Sequence, residues 1–209
     1  NLYSDEMHTL RKDKNAAFEF CEAEYFLAYR DEKVVGRIAA IINHRANERW
    51  ETKSVRFGWV DFIDDIEVSK ALFAAVEDWG RSKGMEQIVG PLGFTDMDPE
   101  GMLTWGYDQL GTQFTIYNYP YYPEHMEKIG GWEKDNDYVE YKLMVPEKIP
   151  EKYTKISDMI QKRYNLHVHK LTRSEVLKGG YGLKVFHVIN ETFKDLYGYS
   201  EMTDHQITD

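Results

Sequence analysis

The feature that most constrains this chain is a strand, helix, strand pattern over residues 55–93. Val55, Phe57, Trp59, Phe62 and Ile63 form an apolar, strand-like run, and Asp64, Asp65 and Glu67 open an amphipathic stretch behind it. Val68, Leu72, Ala75, Val76 and Trp79 recur there at helical spacing, which predicts a helix with one face covered by a sheet. Asp64 is the expected N-cap, with Glu67 three residues on as in a capping box, and Gly84 stands where a left-handed C-cap is wanted. A second strand is expected at 87–93. Such a crossover is the standard way to join two parallel strands.

The flanks extend this unit. Residues 25–30 and 34–42 read as an antiparallel hairpin turning at Asp31, Glu32 and Lys33, with Gly36 marking a bulge. Residues 44–53 read as a charged loop, and 94–112 as a long covering or functional loop broken by Asp96, Asp98, Pro99 and Gly101. Short strands are expected at 113–118 and 138–144, the second burying Tyr141 and Leu143. Between them a short helix at 124–129 follows Pro123 and ends at Gly130 and Gly131. The segment 145–150 reads as a boundary. Beyond it come a helix at 153–164, a strand at 166–171 and, after the break at Gly179 and Gly180, a helix carrying Phe186, Ile189, Phe193 and Leu196. The expected domains are 1–146 and 147–209. Residues 1–15 are polar, lack an initiator methionine and read as a cut or processed boundary.

Composition removes several function classes. A net charge of −10 argues against nucleic acid as a partner, because phosphate-backbone binding needs clustered Lys and Arg. The single cysteine, Cys21, excludes an intramolecular disulfide and a multi-cysteine zinc site. No apolar run is long enough to span a bilayer, so no membrane partner and a cytoplasmic location are expected. Fifteen tyrosines, ten phenylalanines and five tryptophans are read as core and interface material. H-E-x-x-H is not present, which removes zincin chemistry, and the G-x-S-x-G string Gly80 to Gly84 falls at the end of the expected helix instead of at a strand-to-helix turn, which removes classical hydrolase chemistry. His167 and His169 share one face of an expected strand without a third ligand, so no metal site is expected.

Three stretches resemble the GNAT superfamily of acyl-CoA-dependent N-acyltransferases. Val34, Val35, Gly36, Arg37, Ile38 and Ala39 are similar to the family's second hairpin strand. Residues 71–79 with Lys83, Gly84 and Met85 are similar to its cofactor-binding helix, and Glu127, Lys128, Ile129, Gly130, Gly131 and Trp132 to its closing E-K-x-G-F. An uncharacterised GNAT-like group resembles the chain more closely. Its D-D-x-E-V matches Asp64 to Val68, its R-G-P matches Val89, Gly90 and Pro91, and its P-Y-N-P-P-Y-Y-P matches Ile116 to Pro123. The resemblance covers about residues 16–143. It implies an α/β (α+β) fold with a GNAT-like central mixed sheet flanked by helices.

For function, the resemblance implies transfer of an acetyl or acyl group from acetyl-CoA or acyl-CoA to a small-molecule or peptide amine. Splayed central strands would admit the thioester, a backbone N–H would steady the oxyanion, and an acid would protonate the thiolate. The chain departs from the family at two places. No glycine-rich pyrophosphate loop precedes the helix, and Met126 stands where the family's usual tyrosine acid would be. Catalytic candidates are therefore Tyr121, Tyr122 and His125, and by position alone the cofactor would meet Asp65, Val68, Ser69 and Lys70. Asp96, Asp98 and Glu100 are candidates for binding or deprotonating an amine, and Arg81 for a phosphate contact. The alternatives are a catalytically silent binding or interaction module, and the pseudo-enzyme half of a two-domain acyltransferase. The resemblance also implies a strand and helix upstream of Ala16 and a second GNAT-like unit opening in the tail. The tail strand is then expected to fill the vacant first-strand place, in the same chain or in a strand-exchanged homodimer.

Overall fold

In the computed structural model, which describes residues 3–112 and 115–208, the expected hairpin opens the sheet. A short helix α1 (Tyr3–Thr9) and a 3-10 turn (Ala16–Glu19) lead into β1 (Cys21–Arg30) and β2 (Lys33–Asn43), which pair antiparallel. Asp31 and Glu32 both take positive φ, 46° and 65°, as the twist of a tight two-residue hairpin requires. The bulge expected at Gly36 falls beside it, where Ala28 and Tyr29 face Gly36 and Val34 and leave Val35 as the extra residue. Residues 44–49 are α2 (His44–Arg49) rather than loop, because Asn43 caps them by accepting from the Ala46 N–H at 2.8 Å.

The strand, helix, strand unit forms as its period demands. β3 (Ser54–Phe62) pairs antiparallel with β2 and parallel with β4 (Gln87–Val89), giving a mixed sheet in the order β1-β2-β3-β4. Between them α3 (Ile66–Ser82) lays Val68, Leu72, Phe73 and Val76 onto Ile38, Ala40, Ile42, Val55 and Phe57. The opposite face of the sheet buries Ala39 and Ile41 against Ala17, Cys21 and Phe94. The fold is α+β, a mixed sheet flanked by helices. Gly84, at φ 78°, follows the C-cap as expected. The N-cap is Asp65 and not Asp64: the Asp65 carboxylate accepts from the Glu67 N–H at 3.0 Å, while Asp64 turns away to a histidine.

The chain divides into two compact units, Asn1–Lys134 with Phe186–Asp209, and Asp135–Val185. In the first, α4 (Tyr121–Ile129) starts three residues earlier than Pro123 suggests. Gln113 and Phe114 of the strand expected at 113–118 lie outside the described residues, and 115–118 form no strand. There the Asn118 side chain takes the bonding role a ladder would have, accepting from Leu103 N and donating to Leu103 O. The second unit holds α5 (Glu151–Tyr164), ended by Asn165 at φ 51°, and α6 (Arg173–Lys178), opened by a Thr172–Glu175 capping box. Residues 138–144 and 166–171 are not strands, and Tyr141 and Leu143 are 80% and 85% exposed, because neither segment has a ladder partner among the described residues. α7 (Tyr181–Phe193) runs into the first unit, and α8 (Asp204–Thr208) ends it. The tail meets that unit through the buried turn at Tyr199 and Ser200, not through a strand. Ser200 N donates to Asp96 Oδ2 at 3.0 Å and Trp50 Nε1 to Tyr199 O at 3.1 Å.

Gly58 sets how closely the chain after β4 approaches β3. A Cβ there would stand 2.4 Å from the Leu92 carbonyl oxygen, backbone that cannot rotate aside. Gly58→Ala is expected to lower the unfolding free energy by about 1–3 kcal/mol in urea titration, the cost of overpacking.

Candidate functional site

β3 and β4 pair over only three residues each, ending at Arg56 and Val89. One further bond, Leu92 N to Phe57 O at 2.8 Å, holds the chain before the two paths separate. Beyond that point β3 carries a bulge. Ala39 faces Gly58 and Arg37 faces Asp61, so Trp59 and Val60 together oppose Ile38. Trp59 sits at φ 45°, a left-handed conformation that a bulky side chain seldom takes. Strain of this kind is retained where surrounding structure enforces it, and it clusters at functional sites. The gap holds a cleft of about 370 Å³, lined by Trp59, Val60, Asp61, Pro91, Met102 and Tyr122 among others.

The polar end of the cleft is Asp61 with Tyr122. Tyr122 lies on α4 with its ring stacked 4.2 Å from Phe62, and its hydroxyl donates to Asp61 Oδ1 while accepting from the Phe62 N–H at 3.2 Å. Tyr121 donates to the Phe62 carbonyl at 2.7 Å. Burial raises both phenols above the ordinary tyrosine range, and for Tyr122 the hydrogen bond to Asp61 raises it further. Both therefore stay protonated near neutral pH. Asp61 itself is exposed and lines the cleft. Arg37, its register neighbour on β2, pairs with Glu6 at 3.8 Å in the same cleft. Sequence reasoning missed Asp61, although an acid interrupting the apolar run between Val60 and Phe62 was a readable signal.

His125, the third catalytic candidate, is buried and spans two elements. Its Nδ1 lies 3.0 Å from Ser69 Oγ and its Nε2 lies 3.1 Å from Asp64 Oδ1. The four positions read for a cofactor share the first turns of α3 but not one surface. Asp65 caps the helix and pairs with Arg30 at 2.6 Å, which holds its carboxyl below the ordinary aspartate range. Val68 and Ser69 are buried, and Lys70 is exposed and paired with Glu67 at 3.2 Å. Arg81 is likewise held by Glu77 and Asp78 on the helix surface. His169 pairs with Glu175 at 3.1 Å, and no group of residues that could hold a metal ion occurs among the described residues. No described helix is long and apolar enough to cross a membrane.

Asp96 and Asp98 stand apart from the cleft chemistry. Both are drawn into a buried polar cluster in which Asp98 accepts from Thr95 N at 3.0 Å, Asp96 from Ser200 N, and Arg56 donates to Gly93 O at 3.1 Å. Asn43 donates to Phe94 O at 2.8 Å in the same region, where burial pushes the Cys21 thiol up to about 12. Burial also raises both carboxyls above the ordinary aspartate range, against the opposing pull of Arg56. A carboxyl raised on folding binds its proton more readily in the native state. Its contribution to stability is therefore full below the unfolded pKa and lost as pH rises through the folded one. Asp98→Asn is expected to narrow this dependence: the variant's Tm relative to wild type rises as pH goes from 4 to 7, read by calorimetry across that range.

Comparison with known proteins finds two relatives. The chain is 26% identical to the bacterial ceramide synthase of Caulobacter vibrioides over 215 residues, covering 97% of this chain and 52% of that protein. It is 32% identical to protein YghO of Escherichia coli over 117 residues, covering 56% of this chain and 30% of that protein. The chain thus spans about half the length of the first and less than a third of the second. No protein-family model matches it, and no solved structure does.

Proposed function

We propose that the protein is an acyltransferase that joins an acyl group, delivered as a thioester such as acyl-CoA, to the amine of a long-chain amino alcohol. The observation that carries this reading is the likeness along 97% of the chain to a bacterial ceramide synthase, since a ceramide is an amide of that kind. The cleft at the parting of β3 and β4 is the place for the reaction. It combines an exposed carboxylate with an apolar wall at Pro91, Met102 and Ile116, the pairing that an ammonium head on an alkyl chain requires.

In this reading Asp61 receives the ammonium and takes one proton from it, and Tyr122 holds the carboxylate in place. The free amine attacks the thioester carbonyl carbon. Its C–N bond forms as the C–S bond breaks, and the second amine proton leaves with the thiolate. Backbone N–H groups of β3 beyond the end of its pairing with β4 would supply the donors for the developing oxyanion. A second reading, a catalytically silent half, is favoured by the start of α3. There Asp65 already occupies the Glu67 N–H, and Asp64 and Glu67 add negative charge where a pyrophosphate would sit.

The test is to incubate the protein with palmitoyl-CoA and sphinganine, then measure amide by mass spectrometry and free thiol by colorimetry. The acyltransferase reading expects both in equal amounts. Neither product above the protein-free rate, with palmitoyl-CoA at saturating concentration, would favour the silent half.

A further inference from the structure

We propose that Asp64, His125 and Ser69 form a positioning array that seats Tyr122 against Asp61. Its catalytic consequence rests on the acyltransfer reading above. The order of groups is that of a nucleophilic triad, but the geometry excludes that role. Ser69 is fully buried within α3, its Oγ also donates to the Ile66 carbonyl at 3.0 Å, and it does not line the cleft beside Asp61. A nucleophile must meet its substrate, whereas the Ser69 hydroxyl is enclosed between the Ile66 carbonyl and His125.

What the array does is join three elements. Ser69 belongs to α3, Asp64 to the turn before it, and His125 to α4, so both ring nitrogens are engaged across the junction. α4 has no side-chain cap at its own N-terminus, because the cap position is Pro120. His125 also stacks on Phe62 with centroids 5.5 Å apart and planes 16° apart, and Phe62 stacks in turn on Tyr122. The Phe62 N–H then donates to the same Tyr122 hydroxyl that holds Asp61. Fixing His125 thus fixes the first turn of α4, the Phe62 ring and the Tyr122 hydroxyl together. His125 is a positioning residue acting through Tyr122 and Asp61, not the acid or base of the reaction.

The experiment uses His125→Phe, which keeps a stacking ring and removes both hydrogen bonds. Its first readout needs no activity: deuterium exchange of the Phe62 amide, followed by NMR. Seating Tyr122 through His125 predicts exchange about tenfold faster at Phe62, the loss of one ordinary hydrogen bond, with the Val55 and Phe57 amides unchanged. The second readout is amide formation. His125→Phe is expected to lower kcat about tenfold with KM for the thioester within twofold, and to cost almost nothing further in an Asp61→Asn background. Ser69→Ala repeats both readouts with a milder change and a smaller effect in the same direction. Unchanged exchange at Phe62 would overturn the proposal whatever the activity, as would losses in His125→Phe and Asp61→Asn that multiply independently. Faster exchange at Phe62 in a protein that forms no amide would support the seating and reject the acyltransfer reading instead.

Discussion

On the proposed acyltransfer reading, Asp61→Asn is expected to lower the turnover of amide formation by about 10²–10⁴-fold, the usual contribution of a positioned general base. Asparagine has nearly the same shape, and its carbonyl oxygen can still accept the Tyr122 hydroxyl, so the seat of the side chain is preserved. What is removed is the negative charge and the capacity to take a proton from the incoming ammonium. Because Asp61 is exposed, Tm should change little, which separates this loss from a folding defect. Steady-state rates with sphinganine and palmitoyl-CoA, alongside calorimetry, check both halves. An unchanged rate would place the proton transfer elsewhere.

Phe57→Ala carries the largest expected effect on stability, a loss of about 3–5 kcal/mol. Phe57 is fully buried at the centre of β3, with the Phe73 ring edge-on at 5.2 Å and Trp132 at 5.6 Å. Its carbonyl also accepts the Leu92 N–H, the last bond before the cleft opens. Removing the ring leaves a cavity that α3 and the sheet cannot close without moving both. Against the roughly 5–15 kcal/mol that a domain possesses, such a loss takes a large share. Urea titration should show the midpoint fall sharply, and a loss below about 1 kcal/mol would mean that the core collapses around the site more easily than its packing implies.

The elements that build the sheet were legible because their signals are local. The alternation of 25–42, the helical period of 68–79 and Gly84 each declare a structure that needs no distant residue. The choice of N-cap was not local. Asp64 and Asp65 both suit the position, and the difference lies in His125, 61 residues further on, which takes Asp64. Residues 138–144 failed for the complementary reason, since alternation describes a strand only where an edge exists to receive it.

The candidate site was half legible. Tyr121, Tyr122 and His125 came from a resemblance around Pro123, and they do gather at one end of β3. Asp61 did not, because its meaning depends on the bulge at Trp59. No glycine occupies the residue with positive φ, so that irregularity left no ordinary mark. The aspartates of the long loop misled in the other direction. Asp96 and Asp98, read from sequence as candidates for binding or deprotonating an amine, are half-buried and held by the Ser200 and Thr95 N–H groups.

On the proposed acyltransfer reading, an amine with a long alkyl chain binds where β3 and β4 part. Irradiating the protein with a sphinganine analogue that carries a diazirine in its chain, then locating the adducts by mass spectrometry, checks this placement. Adducts are expected on Trp59, Met102 and Ile116, suppressed by excess sphinganine and much reduced in Asp61→Asn. Saturable labelling that spares all three residues, with amide still being formed, would contradict it.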